Sequence, residues 1–136
     1  MSESIHVEKL HEDRLWVITL HHGSRADVDA WEQTVRRYIA EYQNAPERYL
    51  VYDTTPIPNL GFTNYLQQRA TVLAKDNRDA TGRVAIVLRI PPTILYFFDM
   101  FVRITGARTQ PKLEVKLFSQ REDAIAWVAA VLPARV

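Results

Sequence analysis

The stretch that decides the fold is RVAIVLRI, residues 83–90, an apolar run with a glycine before it and two prolines after it. A short run of this kind, rich in valine and isoleucine, is typical of a strand that is buried on both faces of a parallel sheet. Such a strand needs an apolar layer on each face. The sequence on both sides should therefore supply helices.

Helix-like and strand-like segments alternate on both sides of this run. Upstream, YLVYD (residues 49–53) is a second buried strand, and SIHVEKL and LWVITL predict a hairpin over about residues 4–21. Ser24 and Asp27 predict the start of a first helix, and Ser119 and Glu122 predict a capping box for the last one. The first helix carries an apolar stripe with helical spacing, formed by Val28, Trp31, Val35, Tyr38, Ile39 and Tyr42.

The alternation over about residues 24–132 predicts the fold class. Strands joined through helices become parallel neighbours by right-handed crossovers, whereas a hairpin adds an antiparallel strand. We expect a single α/β domain over residues 1–136, with a mixed central sheet of about five strands and four helices.

Composition limits the possible functions. The 136 residues carry a formal net charge of +1, which favours neither nucleic acid nor an anionic membrane. There is no cysteine, so disulfides and thiolate chemistry are excluded. No apolar window reaches the length of a transmembrane segment, and the charged N-terminus does not resemble a signal peptide. We expect a cytoplasmic protein without a cofactor.

Three stretches resemble the STAS-like, or stage II sporulation AA-like, domains: YLVYDTT, GRVAIVL and VKLFSQREDAIAWV. The resemblance covers about residues 15–132 and is closest to a loosely characterised bacterial branch, which shares its fold with the CRAL-TRIO lipid-transfer domains. It implies the anti-sigma-factor-antagonist fold and a regulatory role, and it specifies fold better than activity.

The loop after the second buried strand bears on the switch that this resemblance implies. STAS switch domains carry Asp-Ser-x-Gly-Leu here, and the motif falls on residues 58–62, with Asn59 in the serine position and Gly61 retained. Asn59 has no hydroxyl, so we expect no phospho-switch. The candidate ligand loop consists of Asp53, Thr54, Thr55, Asn59, Gly61 and Thr63.

Asp53, the first residue of that loop, has two interpretations. It is either a ligand or catalytic acid, or a turn residue whose carboxylate bonds Thr55 or the loop backbone; the second is the more common role of such a residue. The adjacent His21 and His22 should point to opposite sides of a strand, so we expect no metal site. No nucleotide-binding loop or nucleophile motif is present, and we expect no enzyme.

The third helix, which follows Pro92 and ends near Gly106, is apolar almost all round. Ile94, Phe97, Phe98, Phe101 and Ile104 would suffice to cover the sheet. The remaining side chains would then either pack on a neighbouring helix or form an exposed patch, which usually marks an interaction surface. The predicted interaction residues are Leu95, Tyr96, Asp99, Met100, Val102 and Arg103.

The functional prediction is a non-enzymatic regulatory or protein-interaction domain, which self-associates through the third helix or binds another protein. The main alternative is a carrier for an apolar small molecule or lipid, bound between the third helix and the sheet beside residues 56–62. A weaker alternative is an enzyme that uses Asp53 with a loop hydroxyl, although no base–nucleophile pair is evident.

Overall fold

The computed structural model describes residues 5–41, 46–57 and 64–133. Five strands and four helices alternate as predicted after an N-terminal hairpin. In chain order they are β1 (Ile5–Leu10), β2 (Leu15–Leu20), α1 (Arg25–Glu41), β3 (Glu47–Asp53), α2 (Asn64–Asp76), β4 (Thr81–Val87), α3 (Pro92–Thr109), β5 (Leu113–Phe118) and α4 (Arg121–Ala129).

The strands lie side by side in chain order, so that β1 and β5 are the two edges of the sheet. The β1–β2 pair is antiparallel and the other three pairs are parallel. From β2 to β5, each connection leads to the adjacent strand, always in the same direction across the sheet. Right-handed crossovers therefore place α1, α2 and α3 on one face. The prediction of a mixed five-stranded sheet is confirmed.

Alternate residues of the strands supply two separate cores. One face contributes Trp16, Ile18 and Leu50, which pack with the predicted α1 stripe and with Leu66 and Leu73 of α2. The other face contributes Leu15, Val17 and Val51, and α4 covers it with Ala124 and Val128. The α1 stripe is buried from Val28 to Ile39 as predicted, and Tyr42 lies outside the described residues.

The sequence predicted the start of α1 correctly but not the start of α4. Ser24 caps α1 as predicted, because its hydroxyl accepts a bond from the Asp27 N–H (3.2 Å) and its carbonyl accepts one from Val28. The predicted capping box of Ser119 and Glu122 is wrong. The N-cap of α4 is Gln120, whose side chain makes no capping bond, so the helix begins one residue later than a Ser119 cap would require.

Gly82 fixes the close approach of β4 to β3. Its φ of +94° is a conformation that favours glycine, and it lies opposite Arg48 in the parallel register. A Cβ atom at this position would stand 2.2 Å from the Arg48 carbonyl oxygen. No side chain fits there, so the start of the central parallel pair depends on this glycine.

Candidate functional site

The loop after β3 begins with a turn built on Asp53. One carboxylate oxygen, Oδ1, accepts bonds from the Thr55 N–H (2.9 Å) and the Thr55 hydroxyl (2.7 Å). The hydroxyl of Thr54 donates to the Val87 carbonyl at 2.8 Å, which joins the ends of β3 and β4. Asp53 therefore adopts the predicted turn, and the hydroxyls of Thr54 and Thr55 are occupied by structural bonds.

Arg121, at the start of α4, binds the second oxygen of Asp53. Its Nη1 lies 3.2 Å from Asp53 Oδ2 and 3.3 Å from the Thr19 hydroxyl, and its Nη2 lies 3.0 Å from Glu8 Oε2. This arginine thus joins β1, β2, β3 and α4 in one half-buried polar cluster. The sequence analysis missed it, because its partners are separated by 68 to 113 residues and no local pattern links them.

The other candidate loop residues, Asn59, Gly61 and Thr63, lie outside the described residues. Their role in ligand binding, and the expected absence of a phospho-switch at Asn59, stay predictions. The described part of the loop ends at Ile57, which is buried against the core below α1 and α2.

The orientation predicted for α3 is wrong for several of its residues. Leu95 and Val102 face inward and pack on a small core formed by Leu88, Ile90 and Leu117, although they were expected to face outward. The residues expected to cover the sheet are instead exposed, namely Ile94, Phe97, Phe98 and Ile104. Tyr96 and Met100 are exposed, in agreement with the prediction, and the side chain of Phe101 is not described.

Asp99 explains why α3 takes this orientation. Its carboxylate faces β5 and accepts a bond from the Leu117 N–H at 2.8 Å, while Arg103 pairs with it one turn later at 3.1 Å. Leu117 lies on an edge strand, so its outward N–H has no neighbouring strand to bond and needs another acceptor. Asp99 thus lies on the inner side of the helix rather than at the rim of an outer patch.

The outer side of α3 carries a set of exposed apolar side chains, which we call the α3 face: Ile94, Tyr96, Phe97, Phe98, Met100 and Ile104. Tyr96 and Phe97 are 64% and 65% exposed and touch edge to face, with ring centroids 6.0 Å apart. Among the described residues, the α3 face supplies six of the seven large apolar side chains that are exposed, the seventh being Val131. Concentration on one helix distinguishes this surface from ordinary scattered exposure.

A second polar cluster joins α1 to α2 and was also missed. Glu32 is not part of the apolar stripe of α1, yet it is buried between Arg69 (2.6 and 2.7 Å) and Arg36 (2.9 and 3.1 Å). The hydrogen bond from Arg69 is the main cause that lowers the pKa of the Glu32 carboxyl to about 2. Arg69 belongs to a distant helix, so the periodicity of α1 could not indicate this pairing.

Two open grooves lie along the α3–β5 side of the molecule. One, of about 340 Å³, is at the carboxyl ends of β4 and β5 and is lined by Leu88, Arg89, Ile90, Pro91, Ser119 and Gln120. The other, of about 270 Å³, is beside β5 and is lined by Val102, Arg103, Pro111, Leu113, Glu114, Val115 and Trp127.

Within the described ranges, no helix is long and apolar enough to span a membrane, and no three His, Asp or Glu side chains converge as metal ligands would.

Comparison with known proteins bears on the fold. No protein-family model matches the chain, and no curated protein matches it. Among solved structures, it is similar to the crystal structure of an uncharacterised protein of the DUF3478 family, with a SpoIIAA-like fold, from Shewanella loihica PV-4. The TM-score is 0.63 at 19% identity, and the match covers 94% of this chain and 98% of the other.

The chain therefore has the SpoIIAA-like, or STAS-like, fold, as the sequence resemblance implied. At 19% identity this similarity shows the fold alone. Function has to be argued from the surfaces and clusters of this chain.

Proposed function

We propose that this protein is a regulatory, STAS-like interaction domain that works without catalysis and pairs with a second copy of itself through the α3 face. The observation that carries the proposal is the concentration of exposed apolar side chains on one helix. Leaving a surface of this size in water is unfavourable, and burial on a partner recovers the apolar contact.

The composition of the α3 face suits a protein contact. It contains two phenylalanines, a tyrosine and a methionine, which are the types enriched at the centre of interfaces. A specific contact buries about 800 Å² on each partner, and rings as large as these contribute most to such a contact.

A two-fold pair is the simplest arrangement that covers this surface. Such a contact requires one self-complementary patch, and two copies of an apolar helix satisfy that requirement without charged partners. Arg103 borders the α3 face with 54% of its side chain exposed, so it lies at the rim where charge can remain hydrated.

The polar clusters support a non-catalytic role. Asp53 is the loop carboxylate for which a ligand-binding or catalytic role was the alternative. Both of its oxygens are engaged, one by Thr55 and the other by Arg121. A catalytic carboxylate needs a proton or a reacting atom within reach, whereas these bonds hold a turn and a helix in place.

Light scattering at micromolar concentration tests the pairing. A double variant, Phe97→Glu with Met100→Lys, keeps the net charge and changes only exposed side chains, so we expect it to fold. The matched control is Gln67→Glu with Thr71→Lys, an exposed pair on α2. We expect the wild type and the control to have twice the mass of one chain, and the α3 variant to have the mass of a monomer with an unchanged circular dichroism spectrum.

Either of two results would contradict the proposal. One is a wild type that stays monomeric throughout the concentration range, and the other is an α3 variant that remains a dimer. A monomeric wild type that binds a fluorescent fatty acid, and loses this binding in the α3 variant, would favour the apolar carrier instead.

A further inference from the structure

We propose that the free edge of β5 is a docking site for a short, acidic, extended peptide segment of another protein, which adds a parallel strand to the sheet. The site lies on the side of α3 toward Val102 and Arg103, in the groove beside β5. It is separate from the α3 face and does not depend on self-association.

The backbone of β5 presents a run of unused bonding groups there. Leu117 donates its N–H to Asp99 rather than to β4, and Phe118 accepts a bond from Leu88 of the β4 side. Odd-numbered residues of β5 therefore direct their backbone groups away from the sheet, because the direction alternates along a strand.

Two donors of this edge are already engaged. The Leu117 N–H is bound by Asp99, and the Leu113 N–H donates to the Gln110 carbonyl at 3.1 Å. Within the described ranges, no group bonds the Leu113 carbonyl or the N–H and carbonyl of Val115. Those three groups match the bonding pattern of a parallel neighbour. One residue of the peptide would donate its N–H to the Leu113 carbonyl and accept from the Val115 N–H. The peptide residue two positions later would donate its N–H to the Val115 carbonyl.

The groove gives such a segment a place to lie. Its volume of about 270 Å³ is bounded by Val102 and Arg103 of α3, by Pro111, and by Trp127 of α4, so both faces of the edge have walls. Trp127 is held in position between Phe118 (centroids 5.6 Å apart) and the Arg83 guanidinium (4.5 Å). Strand addition uses this combination of backbone bonds and flanking side-chain walls.

The charge of the β5 segment favours an acidic partner. The two arginines beside it, Arg103 and Arg83, are paired with Asp99 and Glu114, whereas Lys112, just before β5, and Lys116, on β5, make no ion pair within the described ranges. Asp99 is engaged by Leu117 and Arg103, and Glu114 by Arg83 at 3.6 Å. A second copy of β5 would bring the same positive charges together, so the edge disfavours self-pairing.

The probe is the peptide Ac-Glu-Val-Glu-Val-Glu-Val-NH₂ with a fluorescent label, titrated with the wild-type protein and followed by anisotropy. Two further versions carry N-methyl groups on all glutamate amides or on all valine amides. Alternate amides of a strand point in opposite directions. We therefore expect one N-methylated version to bind at least about tenfold more weakly and the other to bind like the parent.

Charge is tested in the same assay. Replacing every glutamate of the peptide by lysine should weaken binding at least about tenfold, and so should Arg103→Glu in the protein, whereas the exposed control Gln33→Glu should change it little. The proposal is overturned if the acidic peptide does not bind at millimolar protein, if both N-methylated versions bind alike, or if the lysine peptide binds equally well.

Discussion

At the scale of single residues, Gly82 has a tightly constrained position. Its positive φ costs a non-glycine residue about 1–3 kcal/mol, and the Arg48 carbonyl leaves no space for a Cβ. We expect Gly82→Ala to lower the free energy of unfolding by more than about 2 kcal/mol, measured by urea denaturation.

Gly23 supplies the control for this substitution. Its φ is +72°, but an added Cβ would meet only the Ile57 side chain, at 3.1 Å, and a side chain can give way. Gly23→Ala should therefore cost about 1 kcal/mol. If the two substitutions were equally harmful, the close approach of β3 and β4 at Gly82 would not be the cause.

Glu32 makes the stability of the fold depend on pH. Its folded-state pKa of about 2 lies below the ordinary value of 4.5, so its ionised form stabilises the fold above about pH 4.5, and this contribution is lost as the pH falls toward 2. We expect Glu32→Gln to reduce the slope of unfolding free energy against pH in that window, measured by urea denaturation. An unchanged slope would show that its pairs with Arg69 and Arg36 contribute nothing to the pH dependence.

At the scale of elements, the sequence predicted most where apolar and polar residues alternate with a clear period. The stripe of α1 was placed correctly, because its one apolar side can only face the core. The buried run was assigned to residues 83–90, whereas β4 is Thr81–Val87, and Leu88 and Ile90 beyond it belong to the small core beside α3. The sides of α3 could not be predicted from its sequence, since apolar residues surround it. Its orientation follows from Asp99, whose partner is a backbone N–H on β5 that sequence periodicity does not reveal.

Two substitutions at Asp99 test this explanation. Asp99→Asn keeps an oxygen that can accept the Leu117 N–H, whereas Asp99→Ala leaves that N–H without an acceptor. We expect the alanine variant to be less stable than the asparagine variant by about 1–3 kcal/mol, the cost of an unsatisfied donor. Equal stability by urea denaturation would mean that the Asp99–Leu117 bond does not hold α3 in place.

At the scale of the whole molecule, the helices are held in different ways. α1 and α4 pack on the two cores, and the Glu32 cluster joins α2 to α1. α3 contacts β5 and the small core beside it, and its other side is the exposed α3 face. In the part of the chain that the structure describes, exposed apolar side chains are concentrated on the α3 face, which the proposed second copy would cover.

Disulfide cross-linking of single-cysteine variants tests that pairing most directly, because the chain has no cysteine of its own. Phe97→Cys places one thiol near the centre of the α3 face, and Gln33→Cys places one on the exposed side of α1. Under mild oxidation at micromolar concentration, we expect Phe97→Cys to form a covalent dimer rapidly, whereas Gln33→Cys stays mostly monomeric. Equal rates for the two variants, or faster cross-linking through Gln33→Cys, would contradict pairing through α3.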